Sequence, residues 1–149
     1  FKAEFYHGKC EDKPARLERF ASGKVKVMVA TNAFGLGVNI PNIRLVIHHA
    51  PLIGLDDYTQ EAGRAGRDGK KSTALLLWHE YDFTINRRLT KENQLELKGV
   101  ELKERLHALE ALHDYACENH KCRWGMIREF FGEKSGKRCK KRCDNCKNR

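Results

Sequence analysis

Apolar residues follow two different rhythms along this chain. In the first half they come in short, nearly continuous runs. Residues 3–7 alternate loosely and predict a short strand. Val25-Lys26-Val27-Met28-Val29-Ala30, Leu45-Val46-Ile47-His48-His49-Ala50 and Thr73-Ala74-Leu75-Leu76-Leu77-Trp78 each read as a strand, β-branched or mostly apolar. Between residues 3–7 and Val25 lies a helix, with Asp12 as cap, Pro14 in its first turn, Leu17 and Phe20 on its buried face and Gly23 at its end. A second helix, capped by Asp56 or Asp57, precedes the last strand. Strands and helices alternating in this way predict an α/β domain whose parallel sheet is covered on both faces. Ligands of such sheets sit off the carboxyl ends of the strands. Thr31, Asn32 and the helix leading to Arg64 would occupy that edge.

After Trp78 the rhythm becomes helical. Residues 80–119 are richly charged, and Leu102, Leu106 and Leu109 recur at three and four, with Leu112 and Tyr115 alongside. A shorter helix is predicted from Arg123 to Phe131, burying Met126, Ile127, Phe130 and Phe131 and closed by Gly132. The module boundary falls near residues 85–95.

Charge changes the picture next. The 149 residues carry a formal net charge of +9, which points to a polyanionic partner. From Lys121 to Arg149, eleven Lys and Arg against three acids leave +8. Adjacent Lys140 and Lys141 suit phosphate contact without regard to sequence. No run of about eighteen apolar residues is present to span a membrane. Charges interrupt the start of the chain, so it does not read as a signal peptide. The opening in strand-like sequence suggests a piece of a larger protein.

Five of six cysteines cluster between Cys117 and Cys146. That spacing fits a metal site in a reducing compartment better than a disulfide scaffold. Cys122, Cys139, Cys143 and Cys146 follow C-x16-C-x3-C-x2-C. Four thiolates suit a closed, tetrahedral structural zinc site. Cys117 is expected to be a buried small residue, with His113, Cys117 and His120 as rival ligands for the place of Cys122.

Two further stretches carry candidate chemistry. Gln60-Glu61-Ala62-Gly63-Arg64-Ala65-Gly66-Arg67-Asp68-Gly69 sets two guanidinium forks among three glycines. If its first part is helical, Gln60 and Arg64 share a face and Arg67 converges with them. Forked, permanently charged donors beside glycine suggest a phosphate clamp or arginine finger; a capped surface helix is the plainer alternative. The loop Ala30-Thr31-Asn32-Ala33-Phe34-Gly35-Leu36-Gly37-Val38-Asn39 directly follows a strand and offers short polar groups to a phosphate or ribose.

The order of these two stretches resembles motifs V and VI in the second motor domain of superfamily 2 helicases. With the cysteine set, and with Tyr115-Ala116-Cys117-Glu118-Asn119, Lys121-Cys122-Arg123-Trp124 and Cys143-Asp144-Asn145-Cys146, it resembles the RecQ family of DNA helicases. Near the start this chain has Tyr6-His7-Gly8-Lys9-Cys10 where that family usually has Tyr-His-Ala-Gly-Leu. The resemblance implies an N-terminally incomplete RecA-like parallel-sheet motor domain over 1–88 and a helical zinc-binding subdomain over 89–149. It implies Arg67 as arginine finger, Arg64 as its companion, and Gln60, Gly37 and Asn39 in the nucleotide interface. Thr31, Asn32, Lys140 and Lys141 would contact nucleic acid. It also implies ATP with magnesium as substrate of the intact protein, 3′-to-5′ unwinding of DNA, and single strands and duplex junctions as partners. The location would be nuclear in a eukaryote and cytoplasmic otherwise.

The 149 residues contain no G-x-x-x-x-G-K-[ST] loop and no acidic box for magnesium. Half of a nucleotide site is therefore expected here, completed by a first motor domain in cis, and no ATP hydrolysis by these residues alone. A non-catalytic module that docks on DNA or a partner is the alternative. The cysteine module weighs against an RNA helicase.

Overall fold

The computed structural model describes residues 1–35, 38–92, 99–134 and 138–147. They form two compact units, one of residues 1–46 with 63–73, the other of residues 47–62 with 74–149.

In the first unit, strand β1 (Ala3–Tyr6) runs parallel to β2 (Val27–Ala30), with Ala3 opposite Val27 and Tyr6 opposite Ala30. Helix α1 (Lys13–Ala21) makes the crossover and packs on β1. Pro14 lies in its first turn, as expected. Asp12 is the residue before the helix, but its side chain caps nothing. Its φ of −97° and ψ of 32° are not the extended conformation that turns a cap side chain back onto the first N–H groups. Its carboxylate instead takes Arg16 at 2.6 Å and Arg19 at 3.5 Å. Arg19 also grips Glu4 of β1 through two bonds of 2.7 and 2.9 Å, which ties helix to strand. Gly23 ends the helix in the left-handed region, at φ +76°. Leu17 and Phe20 are only half-buried. Phe20 meets Phe34 edge-on, and Phe34 meets Tyr6.

Strands β3 (Leu45–His48) and β4 (Thr73–Leu76) form a second pair. Thr73 N–H donates to Arg44 O and Leu77 N–H to His48 O, both at 2.9 Å. The bonds advance in the same direction on both strands, so this pair is parallel too. One sheet covered on both faces is not what the described residues form. They make two separate two-stranded ribbons, and Val29, Ile47 and Leu77 stand exposed. α1 packs on β1, while α2, α3 and α5 gather on α4.

That gathering makes the second unit. It holds α2 (Leu55–Ala62), α3 (Glu80–Glu92), α4 (Val100–Cys117), α5 (Arg123–Phe130) and α6 (Asp144–Lys147). Leu55 and Tyr58 of α2, Phe83 of α3, and Leu109, Leu112 and Tyr115 of α4 form the core, with Met126, Ile127 and Phe130 packed against it. Of the leucine rhythm of α4, Leu109 is fully buried, with Leu112 and Tyr115 beside it, while Leu102 and Leu106 are only half-buried. Burying one such leucine contributes about 1.5–3 kcal/mol.

Three expectations differ in this unit. α2 begins at Leu55, so Asp56 and Asp57 occupy its first turn, where acids favour the helix dipole, and neither caps it. Phe131 is 54% exposed, because α5 stops at Phe130 and the next residue leaves the helical face. Cys117 is exposed as well. It stands two residues beyond buried Tyr115, roughly 200° around the helix.

Candidate nucleotide clamp and metal centre

α2 stops at Ala62, two residues short of Arg64. Gln60 is exposed in its last turn, while Arg64 and Arg67 lie in the turns beyond, so no single helical face carries Gln60 and Arg64. Gly66 sets that turn, at φ +70°; a Cβ there would come within 2.8 Å of the Lys70 carbonyl. Gly66 N–H donates to Ile43 O at 2.9 Å, and Asp68 N–H to Pro41 O at 3.2 Å. Arg44 pairs with Asp68, whose carboxyl it holds below the usual range.

These bonds lay the arginine turn against the loop after β2. Arg67 Nη1 donates to Asn39 Oδ1 at 3.2 Å and to Val38 O at 3.3 Å. Arg64 lies over Gly35: a Cβ on that glycine would meet its Nη2 at 2.9 Å. Glycine at position 35 thus makes room for a guanidinium, a role its spacing alone does not reveal. Gly37 lies outside the described residues. Thr31 and Asn32 are exposed at the start of the same loop. Thr31 N–H donates to Tyr6 O, and Phe34 N–H donates to Thr31 O, folding Asn32–Gly35 into a 3-10 turn. Among the described residues neither Arg64 nor Arg67 forms an ion pair. Two uncompensated guanidinium groups beside one loop are equipped for an anion.

The metal centre belongs to the second unit. Sulfurs around a tetrahedral zinc, each about 2.3 Å from it, lie about 3.8 Å apart. The Sγ atoms of Cys122, Cys139, Cys143 and Cys146 all lie within 4.8 Å of one another, and those of Cys139 and Cys143 are 3.4 Å apart. None is in a disulfide. The four cysteines therefore fit zinc without rearrangement of the backbone. Cys139 N–H points at Cys122 Sγ from 3.4 Å, and Cys143 N–H at Cys139 Sγ from 3.2 Å. Burial alone would raise the Cys122 thiol, but N–H groups of Gly125 and Cys139 outweigh it and hold that thiol near about 6. Cys146 is pushed up to about 12, by burial first and then by its neighbouring thiols. Thiols pressed together in this way ionise as a set only when a cation compensates them.

Two known families match successive parts of the chain. The model described as "Helicase conserved C-terminal domain" matches residues 1–69. The one described as "RecQ zinc-binding" matches residues 80–147, the span that holds all four cysteines. The chain belongs to the RecQ family of helicases. The ATP-dependent DNA helicase RecQ of Bacillus subtilis is 39% identical over 97% of this chain, which covers 24% of that protein. A putative ATP-dependent RNA helicase, R290 of Acanthamoeba polyphaga mimivirus, is 38% identical over 91% of the chain and is covered to 24%. The ATP-dependent DNA helicase Q1 of Pongo abelii is 34% identical over 95%, covered to 21%. The chain thus spans about a quarter of the length of these relatives.

Within this RecQ module, the two residues between Cys143 and Cys146 do work that cysteine spacing does not announce. Asp144 takes both arms of Arg123 at 3.1 Å. Arg123 also donates to Tyr115 O and lies over the Tyr115 ring, 5.1 Å from its centre. Buried Asn145 donates to Glu118 O and Lys121 O, both at 2.9 Å. These bonds fasten α6 to the segment that delivers Cys122. Lys140 and Lys141 are exposed between Cys139 and Cys143, both in the left-handed region at φ 52° and 61°. Of the three rival ligands, His113 and Cys117 belong to a different cluster with Glu80, and His120 is exposed and outside both clusters. No helix among the described residues is long and apolar enough to cross a membrane.

Proposed function

We propose that this chain supplies the stimulating half of a split ATPase site in an ATP-dependent DNA helicase. Arg67 is the arginine finger and Arg64 its companion. Gln60, Gly37 and Asn39 complete the nucleotide interface, and the ATP–magnesium complex is held by a first motor domain in cis. Thr31 and Asn32, with Lys140 and Lys141, contact the DNA backbone. Residues 1–88 act as the motor part and 89–149 as the zinc-stabilised module. The observation that carries this reading is the meeting of Arg64 with Gly35 and of Arg67 with Val38 and Asn39. Both arginines thus reach the same loop whose first residues, Thr31 and Asn32, are proposed to touch DNA, and this supports a link between hydrolysis and movement.

The test is Arg67→Ala in a protein that carries both motor domains. Removing a finger arginine lowers turnover roughly 10³–10⁵-fold, so DNA-stimulated ATPase should vanish while zinc content stays unchanged. Retained ATPase would sink the assignment. The present 149 residues alone should show no ATP turnover above buffer. Strand separation is proposed to run 3′ to 5′ on DNA, with single strands and duplex junctions as substrates. Such an enzyme works in the nucleus of a eukaryote and in the cytoplasm otherwise.

A second reading rests on the mimivirus relative, whose name specifies RNA. Matched DNA and RNA duplexes with 3′ overhangs separate the two. Unwinding of the DNA duplex with the RNA duplex left intact supports the first.

A further inference from the structure

Three ligand-bearing side chains outside the cysteine centre meet where α3 packs on α4. Glu80 stands in the first turn of α3, and His113 and Cys117 lie one turn apart on α4. Their ligand atoms all lie within 4.8 Å of one another. His113 Nε2 is 2.8 Å from Glu80 Oε2 and 3.5 Å from Cys117 Sγ. The same ring nitrogen makes both contacts. A cysteine–histidine–carboxylate relay needs the two nitrogens of the ring to face different partners, so this is not a nucleophile with its base. One imidazole nitrogen, one thiol and one carboxylate turned to a single point are instead the donor set of a three-ligand metal site.

We propose that Glu80, His113 and Cys117 bind a thiophilic divalent cation of the zinc or cobalt class, at a site separate from the four-cysteine centre. Sulfur and imidazole together select such an ion over magnesium or calcium. The spacing agrees. Around a tetrahedral ion with ordinary bond lengths, nitrogen and sulfur lie roughly 3.6 Å apart, and nitrogen and oxygen roughly 3.4 Å. The first is already met. The second requires Glu80 to draw back about 0.6 Å as its hydrogen bond to His113 gives way to metal bonds. Glu80 is free to do so, since its side chain is 58% exposed.

The imidazole is held in place. Its ring meets buried Phe83 edge-on at 4.7 Å and Trp78 at 6.4 Å. Arg87 reaches Glu80 at 3.7 Å while anchored on Glu110 at 2.7 Å, which steadies the carboxylate from its other side. Three protein ligands leave a fourth position for water, so the site is open where the cysteine centre is closed. A cation there would clip the start of α3 to the end of α4. This proposal stands apart from the ATPase reading.

The full chain, loaded with zinc at the cysteine centre, is titrated with cobalt(II). The expected result is near-ultraviolet absorption with the intensity of one thiolate per cobalt, and no zinc released to a chromogenic chelator. Cys117→Ser should remove that absorption, and Glu80→Gln and His113→Gln should weaken cobalt binding by about ten-fold or more. Cys117 and Glu80 are exposed, so Cys117→Ser and Glu80→Gln leave the core intact; His113→Gln gives up an edge contact with Phe83, and retained zinc in each variant reports a folded module. The proposal is overturned if wild-type protein shows thiolate absorption only as zinc is released. It is equally overturned if Cys117→Ser keeps the band, or if Glu80→Gln and His113→Gln both bind cobalt as wild type does.

Discussion

Replacing Asn145 with alanine removes a single carboxamide that donates to two carbonyls, those of Glu118 and Lys121, at 2.9 Å each. A neutral hydrogen bond contributes about 0.5–1.5 kcal/mol net, so the pair is worth roughly 2 kcal/mol. Lys121 is exposed and Glu118 half-buried, so water can replace part of the lost donation. That keeps the cost from approaching the full desolvation penalty of two orphaned carbonyls. Both bonds join α6, which carries Cys146, to the segment that leads into Cys122. The loss therefore falls on the geometry of the metal ligands. At about 1.4 kcal/mol per decade, roughly 2 kcal/mol is about 30-fold in zinc affinity. Outer partners of metal ligands generally contribute about 10–100-fold, so the two routes agree. Competition with a chromogenic chelator measures this directly. Asn145→Asp should be worse than alanine, since it turns acceptors toward two carbonyls and adds negative charge beside the thiolates. Zinc affinity within three-fold of wild type in Asn145→Ala would show that the cysteines hold their positions without this tether.

Other consequences can be measured on the same protein and its two-domain form. Gly35→Ala places a methyl 2.9 Å from Arg64 Nη2; a flexible guanidinium can move aside, so the thermal midpoint should hardly change while ATPase of the two-domain protein falls. An unchanged ATPase would separate Arg64 from the clamp. Arg87 holds both Glu80 and Glu110, whose carboxyls are lowered from their usual 4.5 chiefly by hydrogen bonds, from His113 for Glu80 and from Arg87 for Glu110, with Arg87 and His113 charge also acting on both and Lys91 on Glu110. A depressed acid stabilises the fold above its unfolded value and loses that contribution as pH falls through its folded value. The stability difference between wild type and Arg87→Gln, followed by urea titration, should thus be constant near neutrality and shrink below pH 4.5. Exchanging Lys140 and Lys141 for glycine relieves two left-handed lysines, for a gain of about 1 kcal/mol. The same change should flatten the salt dependence of DNA binding by roughly 1–2 in log–log slope.

The regular elements were legible because their signals are local. Strand runs, Pro14, Gly23 and the α4 leucines mark themselves. The cysteine set was legible because C-x3-C and C-x2-C spacings bring sulfurs together almost regardless of context. What failed was whatever depends on a partner far along the chain. The strands read as a doubly covered sheet, yet of the two helices meant to cover them α1 packs on a strand, while α2 packs on α4 through the core it shares with Phe83, Leu109 and Leu112. Cys117 read as buried because cysteine usually is, but its position relative to Tyr115 turns it outward. Asn145 and Asp144 read as spacers, since nothing local shows that Asn145 faces two carbonyls and Asp144 faces Arg123. Gln60, Arg64 and Arg67 were expected to converge from a helix; instead α2 ends before Arg64, and the two arginines reach separate residues of one loop from a glycine turn hung on Pro41 and Ile43.

The two left-handed lysines between Cys139 and Cys143 have one further effect. Their backbone takes a costly conformation in the turn between two of the cysteines, so on the proposed reading a zinc ion on those cysteines would steady the turn and with it their charges. Ion and polyanion are then linked thermodynamically. Whatever factor zinc adds to the grip on DNA, DNA must add to the grip on zinc. On the proposed DNA contact, a zinc ion that tightens the grip on DNA should in turn be held more tightly when DNA is present.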